Sequence, residues 1–184
     1  VTHQANDDVF LVKYNSSGTK QWTKQIGKDG DDRARGVATD SSGNVYAVGS
    51  VASYTLFVVA NTMGEGGDDL FVIKYNSSGT EQWAKQLGTS SNDSAYGVAT
   101  DSSGNVYVTG YTQGGLDGSN AGGRDLFVVK YNSSGTKQWT KQLGTTGNEY
   151  PRGVATDSSG NVYVTGYTNG GLDGSNAGSD DLFV

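Results

Sequence analysis

The feature of this 184-residue chain that most constrains its fold is a sequence repeat that occurs three times. Two segments recur almost unchanged: residues 13–18 return at 74–79 and 130–135, and residues 36–46 return at 97–107 and 153–163. Corresponding positions lie 61 and then 56 residues apart. Repeats of about 50 residues are typical of units that are too small to bury their own faces and become stable by stacking. We therefore expect a stack of similar units.

Each repeat contains four short runs of apolar, β-branched and aromatic residues, separated by clusters of Gly, Ser, Asn and Asp. This pattern indicates strands and turns, and no stretch of the sequence has helical spacing. In the second repeat we predict strands at residues 96–100, 106–112, 126–131 and 137–143. Four antiparallel strands in each repeat, at this period, predict an all-β fold: a β-propeller of four-stranded blades.

The phase of the repeat predicts how the blades are divided. We expect a single propeller fragment over residues 1–184, with a partial blade at 1–35 and blades that start near Gly36, Gly97 and Gly153, the last incomplete. Both ends of the sequence fall within a predicted strand, where ladder hydrogen bonds would be left unmade. We therefore expect about three blades of a ring that usually has about four to eight. Further sequence or another copy of the chain would supply the rest.

Strand direction predicts which connections share a face. Residues 113–124 and 144–152 form long connections that leave from the same edge of a blade, because antiparallel strands alternate in direction. Two short hairpin turns leave from the opposite edge. Lysines flank Trp139 on the fourth strand, which we predict to be the outermost strand. Trp22, Trp83 and Trp139 are interpreted as packing residues.

Composition excludes several functional classes. The net charge is −6 and the basic residues are scattered singly, whereas nucleic-acid-binding proteins need clustered Lys and Arg. No run approaches the roughly 18 apolar residues of a membrane span. The only histidine is His3, and cysteine is absent, so the sequence holds no Ser/His/Asp or Cys/His constellation. We predict no catalytic residue and no enzymatic activity; turn geometry explains the repeated Asp40, Asp101 and Asp157.

The extended loops are the candidate binding site, because loops on a rigid scaffold commonly carry function. The predicted ligand-binding residues are Asp117, Ser119, Asn120, Asp173, Ser175, Asn176, Asn148 and Tyr150. Acidic and amide groups on the connections between blades would complete a polar ring: Asp29, Asp31, Asp32, Asn92, Asp93 and Glu149. Such groups suit a glycan or a protein ligand; a solvated face without a ligand is the alternative.

The repeated loop around Asp117 and Asp173 could also coordinate calcium through Asp, Ser and Asn oxygens. Calcium takes about six to eight oxygen ligands, and this motif offers about three side chains without the spacing of an EF-hand. An ordered loop held by Asx-turns is the competing interpretation. We expect no cofactor, with calcium as the alternative.

The pattern resembles the SBBP (bacterial β-propeller) repeat family. The residues that carry the resemblance are 125–135, Trp139 and 153–167. The Gly-Val-Ala segments are also similar to NHL-type blades, in which this strand lies next to the central channel. Residues 49–68 depart from the pattern, because an apolar run replaces the glycine-rich loop.

The resemblance implies an extracellular or cell-surface propeller of a bacterium or archaeon, usually one module of a larger protein, and it implies no particular reaction. We therefore expect a non-catalytic interaction module that binds a glycan or protein through its long loops. The alternative is a structural building block of a surface assembly, for which self-association would be the sign.

Overall fold

The structure, a computed structural model, describes residues 7–27, 30–52, 66–176 and 178–184. His3, Asp29 and most of the apolar run that departs from the repeat lie outside these ranges. Within them the chain forms thirteen β-strands and no helix. The strands are β1 Val9–Tyr14, β2 Lys20–Ile26, β3 Arg33–Thr39, β4 Val45–Val51, β5 Asp69–Tyr75, β6 Glu81–Leu87, β7 Asp93–Thr100, β8 Val106–Thr112, β9 Asp125–Tyr131, β10 Lys137–Leu143, β11 Glu149–Thr156, β12 Val162–Thr168 and β13 Asp181–Phe183.

These strands form four antiparallel sheets that follow one another along the chain. The first sheet is β1–β2, the second β3–β4–β5–β6, the third β7–β8–β9–β10 and the fourth β11–β12–β13. In every sheet the spatial order of the strands is their order in the sequence. The fold is therefore all-β with four-stranded blades, and the described sheets do not close into a ring, as expected of a partial propeller.

The four strands predicted in the second repeat are confirmed as β7 to β10, with one informative difference. Strand β7 begins at Asp93, three residues before the predicted start, because a β-bulge between Ala95 and Gly97 lets the pairing continue to Asp93 opposite Thr112. A bulge leaves one extra residue on one strand. The same irregularity lies in β3 and β11, which begin at Arg33 and Glu149.

The short hairpins are built by Asx-turns, as the sequence predicted. Asp101 Oδ1 accepts hydrogen bonds from the amides of Ser103 and Asn105, both at 2.9 Å. Gly104 closes this turn with a φ of 75°, a conformation that glycine adopts without a Cβ penalty. Asn132 accepts from two amides in the same way in the other hairpin.

The radial order of the strands also agrees with the prediction. The Gly-Val-Ala strands β3, β7 and β11 are innermost and lie side by side: Thr100 Oγ1 donates to the carbonyl of Thr39 at 3.0 Å, and Thr156 Oγ1 to that of Thr100 at 3.1 Å. The tryptophan strands β6 and β10 are outermost.

A continuous apolar layer holds the second and third sheets together. Its buried members are Tyr46, Val48, Leu70, Val72, Ala95, Val106, Val108, Phe127, Val129 and Tyr131. Trp83 packs against this layer between Tyr46 and Tyr131, and its Nε1 donates to the carbonyl of Ser133 on the next sheet at 3.1 Å. Trp83 is thus a packing residue, as predicted. Burial of large aromatic surfaces at this contact stabilises the stack.

Candidate functional site: the loop face

The long connections lie on one face of the sheets and are joined by backbone hydrogen bonds. The amide of Gly123 donates to the carbonyl of Gly147 at 2.9 Å, and the amide of Glu149 donates to that of Arg124 at 2.7 Å. Arg124 and Asn148 form an isolated parallel bridge. The loop within the third sheet is therefore tied to the connection into the fourth. We name this surface the loop face.

The first predicted glycine-rich loop is anchored by the outermost strand. Gln142 Oε1 accepts from the amides of Leu116 and Asp117, at 2.8 and 3.1 Å. Asp117 Oδ2 pairs with Lys141 Nζ at 3.3 Å. Ser119 is exposed, and Asn120 Oδ1 accepts from the amide of Gly122 at 2.9 Å. This loop thus has a defined shape, and part of its oxygen set is already engaged.

In the second loop, all three predicted residues are exposed. Asp173 Oδ1 accepts from the amide of Ser175 at 3.4 Å, and Asn176 Oδ1 accepts from that of Gly178 at 2.8 Å. Both contacts are Asx-turns, the structure expected of these residue types in a turn. Among the described residues no group of three or more His, Cys, Asp or Glu side chains could hold a metal ion. Calcium therefore stays a prediction of the sequence.

The described positions of the predicted polar ring that lie on the connections into the blades divide into two groups. Asp31 and Asn92 are exposed, whereas Asp32, Asp93 and Glu149, at equivalent places in the three repeats, are buried. The expectation that these three carboxylates face a ligand is thus wrong. Asp93 and Glu149 lie under the connections and accept hydrogen bonds from them, which is how a buried carboxylate is tolerated.

Asp93 shows how such a carboxylate holds a loop. Its Oδ2 accepts from the amide and the hydroxyl of Thr89, at 2.6 and 2.9 Å. Burial raises the pKa of Asp93, and hydrogen bonds from Thr112 and Thr89 oppose the rise. Glu149 makes the same contacts with Thr145, at 3.1 and 2.7 Å, and also accepts from Thr168 Oγ1 at 2.9 Å. These acids are structural.

Tyr150 belongs to a group of arginines and tyrosines that the sequence did not predict as a unit. Its ring stacks on Tyr167, with centroids 4.7 Å apart and planes 22° from parallel. Arg124 Nη1 donates to the Tyr150 hydroxyl at 3.0 Å, and Arg152 Nη2 donates to that of Tyr167 at 2.9 Å. The predicted neighbour Asn148 donates its amide to Asn169 Oδ1 at 2.6 Å and so supports the same region.

The group continues onto the third and second sheets through stacked guanidinium groups. Arg124 lies over Tyr111, 4.6 Å from the ring centroid, and burial raises the pKa of Tyr111 while the Arg124 charge opposes the rise. Arg35 and Arg152 lie over Tyr96, at 4.6 and 5.1 Å. We define the Arg–Tyr cluster as Arg35, Tyr96, Tyr111, Arg124, Tyr150, Arg152 and Tyr167.

The bulges explain why these side chains meet. Arg35, Tyr96 and Arg152 are the residues at which the pairing register of the innermost strands shifts. A residue at a bulge is unpaired, and its side chain is re-aimed. The remaining members lie at the loop-face ends of their strands or immediately before them, so the whole cluster gathers at one end of the innermost strands.

The sequence carries a weak signal for this cluster. The residue before each Gly-Val-Ala segment is Arg35, Tyr96 or Arg152, large in all three repeats although the segment itself is nearly invariant. That these residues stack on one another could not be inferred, because the contacts join neighbouring sheets. Sequence reasoning selected Tyr150 alone.

The cluster also has a distinctive charge. The chain is acidic overall, yet three guanidinium groups converge here on tyrosine rings and hydroxyls. The ion pairs of Arg33 with Asp7 and Asp31 and of Lys141 with Asp117 lie outside this cluster. Arg124 Nε is buried and has no hydrogen-bond partner among the described residues. The arrangement combines aromatic surface with positive charge, which suits a ligand that has flat faces and acidic groups.

Two curated relatives match much of the chain. An uncharacterized WD repeat-containing protein of Acanthamoeba polyphaga mimivirus is 25% identical over 185 residues, which cover 81% of this chain and 13% of the relative. The regulatory protein FlaEY of Caulobacter vibrioides is 28% identical over 158 residues, which cover 79% of this chain and 17% of the relative. The chain therefore spans less than a fifth of either relative.

A solved structure supports the fold. The crystal structure of a protein of unknown function from Bacteroides caccae has a TM-score of 0.52 and 12% identity, and the match covers 97% of this chain and 57% of that one. In the described ranges no helix is both long and apolar enough to cross a membrane. The SBBP beta-propeller repeat model matches residues 21–50, 82–117 and 138–173, more than half of the chain. The sequence motifs of the chain, its four-stranded sheets and this match agree, and the chain belongs to the SBBP β-propeller repeat family.

Proposed function

We propose that this chain is a non-catalytic propeller interaction module that binds a glycan or protein partner carrying acidic groups, and that the loop face is its binding surface. The proposal rests on the Arg–Tyr cluster. There the stacked rings of Tyr150 and Tyr167 lie beside the guanidinium groups of Arg124 and Arg152. The tyrosine rings are half-buried and hold the guanidinium groups in place, and guanidinium groups bind carboxylate, sulfate or phosphate oxygens in pairs.

The structural contacts of the carboxylates support a binding role without catalysis. Asp93 and Glu149 are buried and hydrogen-bonded to threonines of the connections above them. Asp101 and Asp157 hold turns at the opposite edge. A propeller fold by itself implies no reaction.

We further propose that the module works outside the cell or at its surface. This follows from what the family resemblance implies, and it accords with a partner rich in acidic groups. Immunolabelling of intact source cells, with and without permeabilisation, tests this part separately. Labelling that requires permeabilisation would contradict the location but not the binding role.

Binding is tested with the full chain on an array that contains uronic-acid, sialylated, sulfated and neutral glycans, together with acidic and neutral peptides. We expect saturable binding to acidic members, weakened by salt because exposed charges are screened. The double variant Arg35→Ala/Arg152→Ala removes two exposed guanidinium groups of the cluster. Loss of these contacts should lower the affinity about tenfold or more.

The double variant Lys20→Ala/Lys137→Ala is the matched control, since it removes the same charge from exposed positions on outermost strands. It should bind like the unaltered chain. If both double variants lowered the affinity equally, the loss would be due to net charge and not to the Arg–Tyr cluster. Binding that depends on Asp117 and Asp173 but not on the arginines would move the site to the glycine-rich loops.

A further inference from the structure

Two arginines of the Arg–Tyr cluster meet at one ring, although they lie on different sheets. The Cζ atom of Arg35, on β3, lies 4.6 Å from the centroid of Tyr96, and that of Arg152, on β11, lies 5.1 Å from the same centroid. The two guanidinium groups are therefore no further apart than the sum of these distances. We call these two residues the arginine pair. Their contacts join the second, third and fourth sheets through the innermost strands.

The charge of the arginine pair is not balanced by an ion pair. Among the described residues, no carboxylate forms an ion pair with Arg35 or Arg152, whereas Arg33, on the same strand as Arg35, pairs with Asp31 at 2.6 Å. Asp68 lies near the Tyr111 side of the cluster. Two like charges held at one ring repel each other, and an anion that contacts both would remove this repulsion.

The excess of positive charge is specific to this part of the chain. Arg124 occupies a position that is Asp7, Asp68 or Asp180 in the other repeats. An arginine therefore replaces an acid at the junction of the third and fourth sheets, beside the arginine pair.

Both arginines of the pair keep N–H donors for a ligand. Arg152 Nη2 donates to the Tyr167 hydroxyl at 2.9 Å, and the Arg35 guanidinium lies over the Tyr96 ring. A guanidinium has five N–H donors in a fixed planar fork, so one hydrogen bond to a tyrosine leaves several donors available. Both side chains are exposed on the loop face.

The ring between the two arginines is held in place by its neighbours. Tyr96 packs on Tyr111, with centroids 5.9 Å apart and planes 39° from parallel. Arg124 covers Tyr111 at 4.6 Å from the ring centroid and donates to the Tyr150 hydroxyl at 3.0 Å. We assign Arg124 as a positioning residue. The arginine pair is therefore preorganised, which reduces the entropy lost when a ligand binds.

The geometry and charge of the arginine pair favour one kind of acidic group. A carboxylate has two oxygens in one plane, which one guanidinium fork can fill, whereas a phosphate monoester has three terminal oxygens that diverge toward two forks. Its charge of about −1.5 to −2 at neutral pH also matches two guanidinium groups better than a single negative charge does. We propose that the arginine pair binds a phosphate monoester carried by the partner, a specificity that rests on the proposed function and narrows it.

The site is tested by NMR titration of the full chain with methyl phosphate, methyl sulfate and acetate at equal ionic strength. At about pH 8, methyl phosphate should bind at least about fivefold more tightly than the other two and shift the ring resonances of Tyr96. A phosphate monoester gains a proton near pH 6, so its affinity should fall several-fold by about pH 5. Methyl sulfate keeps its charge over this range and controls for titration of protein groups near the pair, such as Asp68 and Tyr111.

Variants separate the arginine pair from net charge. Arg35→Gln should lower the affinity for methyl phosphate about tenfold, a typical loss when a hydrogen bond between charged groups is removed. Arg35→Lys keeps the charge but not the fork, so it should restore only part of this loss. Arg33→Gln is the matched control, because it removes the same charge from the same strand where Asp31 already pairs with it. Its affinity should change less than about twofold, since exposed charges are screened.

The carrier of the phosphate is identified with mannose 6-phosphate and a phosphoserine peptide. Binding of either one that depends on Arg35 supports the site, and the tighter of the two shows whether the carrier is a sugar or a peptide. Equal affinity for methyl phosphate and acetate, or equal losses from Arg33→Gln and Arg35→Gln, would overturn the phosphate site. The proposed function would still stand if acidic members of the array bound without preference for phosphate. Absence of saturable binding to every acidic probe would overturn both.

Discussion

At the residue scale, the aspartates of the Asp-Ser-Ser-Gly turns do more than shape a turn. Asp101 Oδ1 accepts two backbone amides, while Oδ2 accepts from Asn105 Nδ2 at 2.7 Å and from the Tyr107 hydroxyl at 3.0 Å. Tyr107 is only 1% exposed, so this carboxylate links the turn to the core. In the other hairpin, Asn132 accepts both backbone amides with its single side-chain oxygen. An asparagine is therefore sufficient in that turn, whereas the Asp101 turn uses both oxygens of a carboxylate.

We predict that Asp101→Asn destabilises the protein at neutral pH by about 1–3 kcal/mol. The amide keeps the Oδ1 contacts but puts an NH₂ group in the place of Oδ2, so the Tyr107 hydroxyl and the Asn105 amide group lose the acceptor to which both donate. The free energy of unfolding, measured by urea denaturation, should show this loss. Asp157→Asn is the control: it changes the same turn in the fourth sheet, where Tyr163 is 51% exposed and can bond to water. Its effect should be smaller.

The same carboxylate predicts a pH dependence. Burial tends to raise the pKa of Asp101, but hydrogen bonds from Asn105, Tyr107 and Ser103 outweigh it and hold the pKa below the ordinary value of 3.8. A lowered pKa in the folded state contributes stability above the unfolded pKa, and this is lost as the pH falls through the folded value. The difference between the unaltered chain and Asp101→Asn should therefore shrink below pH 3.8. A difference that grows with acid would contradict this role.

At the element scale, the bulge of the innermost strand is coupled to a glycine on the next strand. Gly49, Gly110 and Gly166 occupy equivalent places in β4, β8 and β12. A Cβ on Gly110 would lie 1.9 Å from the carbonyl oxygen of Ser94. The bulge brings the backbone of β7 too close for any side chain there. These glycines thus permit the bulges that present the Arg–Tyr cluster.

We predict that Gly110→Ala destabilises the protein by about 1–3 kcal/mol, because the new methyl group meets backbone and not a movable side chain. Displacement of Tyr96 should accompany the loss, visible as altered ring resonances in NMR spectra. Gly178→Ala is the control, since a Cβ there meets nothing within 4 Å. If Gly110→Ala had the same free energy of unfolding as the unaltered chain, the bulge would be able to relax around the new methyl group, and the prediction would be wrong.

At the scale of the whole molecule, stability follows from contacts between neighbouring sheets. Strands β8 and β12 have the same sequence, Val-Tyr-Val-Thr-Gly-Tyr-Thr, but very different surroundings. Six of the seven residues of β8 are buried, against two in β12. In repeat architectures each unit is stabilised mainly by its neighbours, so a unit at an open end is less stable.

We predict that amide hydrogens of β8 exchange at least about tenfold more slowly than those of β12 in dilute, monomeric protein. A tenfold ratio corresponds to about 1.4 kcal/mol in local opening free energy. Identical sequences remove differences in intrinsic exchange rates, and NMR resolves the two strands. Equal protection of the two strands in a verified monomer would contradict this view of stability.

Much of the fold could be predicted because its determinants are local. Short runs of apolar, β-branched and aromatic residues set the strands, and the Asx-turns at Asp101 and Asn132 set the hairpins, all within a few neighbouring residues. The start of β7 was missed by three residues because the bulge at Tyr96 depends on the strand opposite. On the loop face, residue types predicted polar groups but not their exposure: Asp93 and Glu149 look like ligand groups in the sequence and are buried in the structure.

The sequence by itself thus determined the all-β repeat, the number and order of strands in a blade, and the face on which the long loops gather. These properties follow from periodicity and turn chemistry, which act between residues close in the chain. Only the tertiary structure decided that Arg35, Tyr96 and Arg152 meet, and that Asp93 and Glu149 are buried. Those outcomes depend on packing between sheets, where residues about sixty positions apart become neighbours and chain order ceases to indicate distance.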